Sequence, residues 1–200
     1  MSQPQNRECQ IPVLGEIDHA AGEFWVENPL WLPEMRKNLS AYERNRMYLN
    51  FGGESFVDVS YASGADIDSD SRSVIAADFN NDGSPDLLVG SAGGGPLRLF
   101  YNRFPDTVNR LQIKLAGSTS NRSAIGARVT VFCGGRQLVR DVFPANGFMG
   151  MSPTQLTIGI GQAKTVDRIV VRWPSGQVQE FANVPVNQRI SITEGEPSFR

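Results

Sequence analysis

Through most of the second half of the chain, apolar and polar residues alternate with a period of two. Leu111, Ile113 and Leu115 fall on one side and Gln112 and Lys114 on the other, the pattern of a half-buried strand. "ARVTVFC" and "RQLVRDV" flank Gly134-Gly135, a pair free to take the positive φ of a tight hairpin. "QLTIGIG" aligns Leu156, Ile158 and Ile160, and "RIVVRW" aligns Ile169, Val171 and Trp173 with Arg168 and Arg172 opposite. Trp173-Pro174-Ser175-Gly176 has the proline and glycine of a β-turn, and "QVQEF" and "RISIT" complete the set. Short strands at this spacing predict an antiparallel sandwich or barrel.

The first half is less regular. Met35, Leu39 and Tyr42 recur at helical spacing behind Pro33, which predicts a short helix over about Pro33–Arg44. From Arg46 the period falls to two: "RMYLN", the turn "FGGES" and "FVDVS" read as strand, turn and strand. "VIAADF" and "LLVG" are two further strands, and "LRLFYN" follows "SAGGGP". Arg46-Met47-Tyr48-Leu49-Asn50 resembles Arg98-Leu99-Phe100-Tyr101-Asn102, 52 residues on, an offset near that of one propeller blade. One full unit is present, so its faces and edges need other cover.

Composition is ordinary for a globular chain of 200 residues. The net charge is −2, which leaves no electrostatic footprint for nucleic acid. Charge is uneven, however: residues 1–104 hold 8 Lys/Arg against 15 Asp/Glu, and the remainder 11 against 6. That contrast fits either an acidic calcium-binding unit or two faces of opposite sign. Cys9 and Cys133 make no disulfide framework or zinc site, and Cys133 extends the buried pattern of Val129 and Val131. No stretch is apolar for long enough to span a membrane. The polar start "MSQPQNRECQ" is unlike a secretory leader, so a secreted form is expected to be a mature one.

The chemistry concentrates in "DFNNDGSPD", between two of the predicted strands. Either a cation neutralises its three acids, or it is a solvated turn. Calcium takes roughly six to eight oxygens at about 2.3–2.6 Å, and a loop supplies them when alternate residues turn inward around a glycine. Asp78, Asn80, Asp82 and Asp86 offer side-chain oxygens at positions one, three, five and nine, and Ser84 a backbone carbonyl at seven. Gly83 permits the bend. An EF-hand is excluded, because position twelve is Val89 and the flanks are strand-like. With three formal charges the site is expected to bind moderately, filling in calcium-rich extracellular or periplasmic fluid. A second cluster, Asp66, Asp68 and Asp70, lacks the glycine bend and a fourth ligand and reads as a solvated loop, with a weak accessory ion as the alternative.

These stretches bring a family into view. "NRMYLNFGGESFVDVSYASG" with "VIAADFNNDGSPDLLVG" resembles the FG-GAP/VCBS-type calcium repeat. "NRSAIGARVTV", "IGIG", "RIVVRWPSGQVQEFANVPVNQ" and "ITEG" resemble the ASPIC/UnbV domain, which follows such repeats in the cartilage acidic protein family and its bacterial relatives. The resemblance implies a mainly β fold, a propeller-blade-like antiparallel sheet with a calcium loop and then an antiparallel β-sandwich; the short N-terminal helix read from spacing precedes both. The expected divisions are 1–44, 45–104 and 108–195. It places Ca2+ on Asp78, Asn80, Asp82, Ser84 and Asp86 and assigns no catalytic residue. Two departures stand out. "NGFMGMS" sets Gly150 and Met151 where the family usually has a polar Ser-Gln pair, and the repeat is present once where the family has several.

The function so implied is a non-enzymatic, secreted-type module for recognition or adhesion, with a protein or glycan ligand. Phe148 is a candidate contact, with core packing as the equal alternative. The alternatives are an assembly module pairing through an open sheet edge, as a homo-oligomer or with the remainder of a longer chain, and a glycan-active hydrolase using paired carboxylates. Enzymatic candidates are few: His19 stands alone, no G-x-S-x-G is present, and "SAGGGP" opens no helix.

Overall fold

The computed structural model describes residues 44–67, 71–91, 97–103, 108–145 and 150–200. The helix expected over Pro33–Arg44, together with Cys9, His19, Asp68, Asp70 and Phe148, lies outside them, apart from Arg44 at the helix's end. The fold is mainly β, with twelve strands and one short helix among the described residues.

Two compact units are distinguished; of the described residues the first holds 44–67, 71 and 91, and the second 72–90, 97–103, 108–145 and 150–200. In the first, β1 (Tyr48–Phe51) and β2 (Ser55–Asp58) form an antiparallel hairpin. Gly52 and Gly53 turn it with φ of 69° and 85°, a region that side chains disfavour. The residues after Asp58, expected as strand, instead coil into the single turn α1 (Ser60–Ser63), ended by Gly64 in the left-handed region. Asp58 steers that change by accepting from both the backbone N–H and the hydroxyl of Ser60.

In the second unit, apart from the terminal residues Ser71 and Ser91, β3 (Ser71–Ala77), β4 (Asp86–Ser91) and β5 (Arg98–Phe100) form a three-stranded sheet. The strand pair β4–β5 is antiparallel, with Leu88 opposite Leu99. A sandwich follows. One sheet has the order β11-β10-β7-β8 and the other β12-β6-β9. The strands are β6 (Asn109–Ala116), β7 (Arg128–Cys133), β8 (Arg136–Asp141), β9 (Leu156–Gly161), β10 (Thr165–Arg172), β11 (Val178–Pro185) and β12 (Gln188–Thr193).

Their inward residues are those the alternation selects. Leu111, Ile113, Val129, Val131, Ile158, Ile160, Ile169, Val171 and Trp173 are all buried in one core. Cys133 lies among them as a free thiol. Arg168 and Arg172 stay exposed, and the Arg168 guanidinium covers the Phe132 ring at 4.3 Å. The turn after Trp173 closes with Gly176 N–H donating to the Trp173 carbonyl at 2.9 Å.

The sandwich departs from a purely antiparallel arrangement in one place. β12 runs parallel to β6, Ile190 opposite Ile113. Asn187 sets this register: its N–H donates to the Arg110 carbonyl at 2.7 Å and its side-chain oxygen accepts from Arg110 N–H at 3.0 Å. Both strands therefore enter their sheet from the same end.

Candidate functional site

The acidic segment links β3 to β4, as the two short apolar runs predict. Asn81 and Gly83 take φ of 59° and 88°, which curls the chain back on itself. Inside the curl, each acidic side chain is tied to backbone N–H groups. Asp78 accepts from Gly83 N–H at 2.9 Å through Oδ2, and Asp82 accepts from Ser84 N–H at 2.8 Å through Oδ1. Asn80 bonds Asp82 twice, accepting from its N–H at 3.1 Å and donating to its Oδ2 at 2.7 Å. The bonds from Ser84 and Asn80 hold the Asp82 carboxyl below the usual carboxylate range.

Asp86 is fully buried. Its two oxygens accept from Phe79 N–H at 3.0 Å and Asn102 N–H at 2.8 Å, which joins the loop to the chain beyond β5. Position nine is thus a structural clasp as well as a candidate ligand. A carboxylate oxygen has lone pairs for both tasks.

Asp78 differs from the others. Its side chain is only 4 % exposed, and its Oδ1 is buried without a hydrogen-bond partner. An orphaned carboxylate oxygen in the interior is costly unless something fills its place. Three residues from the sandwich sheet of β12-β6-β9 also reach the loop. Gln112 donates to Asp78 Oδ2 at 3.0 Å and accepts from Arg189 Nε at 3.0 Å. Arg189 lies 3.8 Å from Asp78 Oδ2, and Arg110 donates to the Asp82 carbonyl. A side chain at Gly83 would run into that Arg110 guanidinium.

The alternation set Gln112 on the side of β6 away from the core, where solvent was the natural expectation. It is instead 94 % buried, because that face carries the acidic loop (6 % exposure). Its only sequence signal is that it is uncharged where the alternating neighbours Arg110 and Lys114 are charged. Nothing local marks Arg110 or Arg189.

The five expected ligands therefore lie on one loop, yet no three His, Cys, Asp or Glu side chains among the described residues gather at metal-binding distance. The donor set fits a hard cation in kind, all oxygen with one buried oxygen unused. Occupation would require Asp82 to exchange the Asn80 amide for the ion. In the other acidic cluster, Asp66 pairs with Arg44 at 2.7 Å, and that bond lowers its pKa.

Another buried carboxylate was not singled out by sequence. Glu194 accepts from Ser118, Thr119 and Ser120 N–H at 2.7–2.9 Å, and from the hydroxyls of Ser120 and Ser175. Burial pushes its pKa up, but the bonds from Ser175, Ser120 and Ser118 prevail and hold it at about 2. Glu194 closes the "ITEG" stretch onto the turn that "WPSG" makes.

Comparison with protein families matches residues 38–89 to the FG-GAP-like repeat and residues 117–198 to ASPIC and UnbV. The chain carries an FG-GAP-like repeat followed by an ASPIC and UnbV domain. The FG-GAP-like match takes in Asp78, Asn80, Asp82, Ser84 and Asp86, and the ASPIC and UnbV match takes in Glu194 and Arg189. A search of curated proteins gave no match. The pair of domain types suggests a recognition or adhesion module of the extracellular kind. No helix among the described residues is long and apolar enough to cross a membrane.

Proposed function

We propose that this FG-GAP and ASPIC/UnbV chain is a non-enzymatic recognition module of extracellular or periplasmic fluid, with calcium in the Asp78–Asp86 loop and a protein or glycan as ligand. The observation that supports calcium is the buried, unpartnered Oδ1 of Asp78. Asp78, Asn80, Asp82 and Asp86 would hold the ion through side chains and Ser84 through its carbonyl. The ion supplies fixed positive charge that draws the loop's oxygens together. The protein's own residues prepare the place: Gly83 and Ser84 N–H orient Asp78 and Asp82, and Gln112 fixes the outer oxygen of Asp78.

Non-enzymatic function is favoured because the clustered acids are engaged by structural bonds, and the domain types bring no catalytic residue to these positions. Thermal melting with calcium and with EDTA tests the ion. Calcium is expected to raise the wild-type melting temperature, EDTA to lower it, and Asp78→Asn to remove the response. A wild-type melt indifferent to both additions refutes calcium binding.

One observation favours assembly as a second reading. Tyr48, Phe51 and Phe56 on the β1–β2 hairpin are more than half exposed, at 56 %, 68 % and 67 %. Light scattering decides it: a monomer at all concentrations, with or without EDTA, excludes self-association.

A further inference from the structure

Beside the acidic loop, the second unit has an open cavity of about 370 Å³. Its polar lining comes from Asp78 and Asn81 of the loop, Gln155 and Thr157 at β9, and Arg189 of β12; its apolar walls include Pro85 and Pro153. No step of the loop's own hydrogen bonding uses Gln155 or the Thr157 hydroxyl. We infer that this cavity is a subsite for a small neutral saccharide.

Three features select that ligand class. First, the space is concave and close to the lower end of the roughly 300–1,000 Å³ range of small-ligand pockets, whereas a folded protein needs a broad face of about 800 Å². Second, the two amides and the hydroxyl each donate and accept, matching sugar hydroxyls, which do the same. The prolines offer flat C–H walls to a sugar ring. Third, the one cation among the described lining residues is already countered. Arg189 lies 3.8 Å from Asp78 and donates to Gln112, so its charge is offset and its guanidinium is pre-oriented. Selection then falls to hydrogen bonding, which favours a neutral polyhydroxylated ligand over a free anion.

This deepens the recognition reading by naming the ligand class, and rests on that reading but not on the loop's ion. The test uses the full chain with glucose, galactose, mannose, N-acetylglucosamine and their β-linked disaccharides, by saturation-transfer NMR and calorimetry. At least one sugar is expected to saturate. Gln155→Ala and Thr157→Val, both at the cavity and away from the core, are each expected to weaken it about three- to tenfold, the worth of one lost hydrogen bond. Their melting temperatures should match wild type. Saturation by no sugar, or binding that both variants leave intact, overturns the subsite. If calcium still raises the melting temperature while every sugar fails, the subsite falls alone; if sugars bind but calcium has no effect, the ion falls alone.

Discussion

Glu194 carries its charge in a buried place because three successive backbone N–H groups and two hydroxyls converge on it. Its carboxyl titrates at about 2 in the folded chain, against an ordinary value of 4.5. A depressed carboxyl stabilises the fold fully above the unfolded value, and that contribution fades as pH falls from 4.5 toward 2. Urea midpoints are therefore expected to drop between pH 5 and 3 in wild type, and to drop less in Glu194→Gln, which is already weaker at pH 7. Equal acid sensitivity in the two would remove Glu194 from this role. Gln112 is the other residue whose burial depends on partners. Gln112→Leu keeps the size but strands Arg189 Nε and takes one donor from Asp78, so a loss of about 1–2 kcal/mol is expected in urea unfolding.

Elements show which information is local. The sandwich strands were legible because alternation and glycine turns are written within a few residues, as in Val129–Val131–Cys133 and Gly134-Gly135. The candidate oxygen set was legible for the same reason, since all of it falls between Asp78 and Asp86. The direction of β12 was not legible, because a period of two is the same for parallel and antiparallel strands. Nor was the docking of β6 and β12 on the loop, since Gln112 and Arg189 are distant in sequence and their partners are set by the folded sheet. At Gly83 local and distant demands meet: φ is 88°, and Arg110 fills the space a side chain would need. Gly83→Ala is expected to cost more than about 1 kcal/mol, seen as a lower urea midpoint. An unchanged midpoint would mean the loop has another accessible shape.

For the whole molecule, two sources of positive charge compete at one acidic loop. Arg110 and Arg189 already bring positive charge to Asp82 and Asp78, while the unused Asp78 Oδ1 leaves room for a cation as well. A ligand that binds only the folded state at a hundred times its dissociation constant adds about 2.7 kcal/mol, which for a chain of this size raises the melting temperature by about 5–10 °C. The arginine and the ion should work against each other, because like charges repel across the same carboxylate. Arg189→Gln removes one of these competitors. It is expected to lower stability in EDTA, where Asp78 loses its counter-charge, and to tighten calcium binding about fivefold, the scale of roughly 1 kcal/mol for a half-exposed pair. Calorimetric titration of calcium into both proteins reads this directly. Weaker binding in the variant would mean that Arg189 holds Asp78 in place for the ion and does not compete with it.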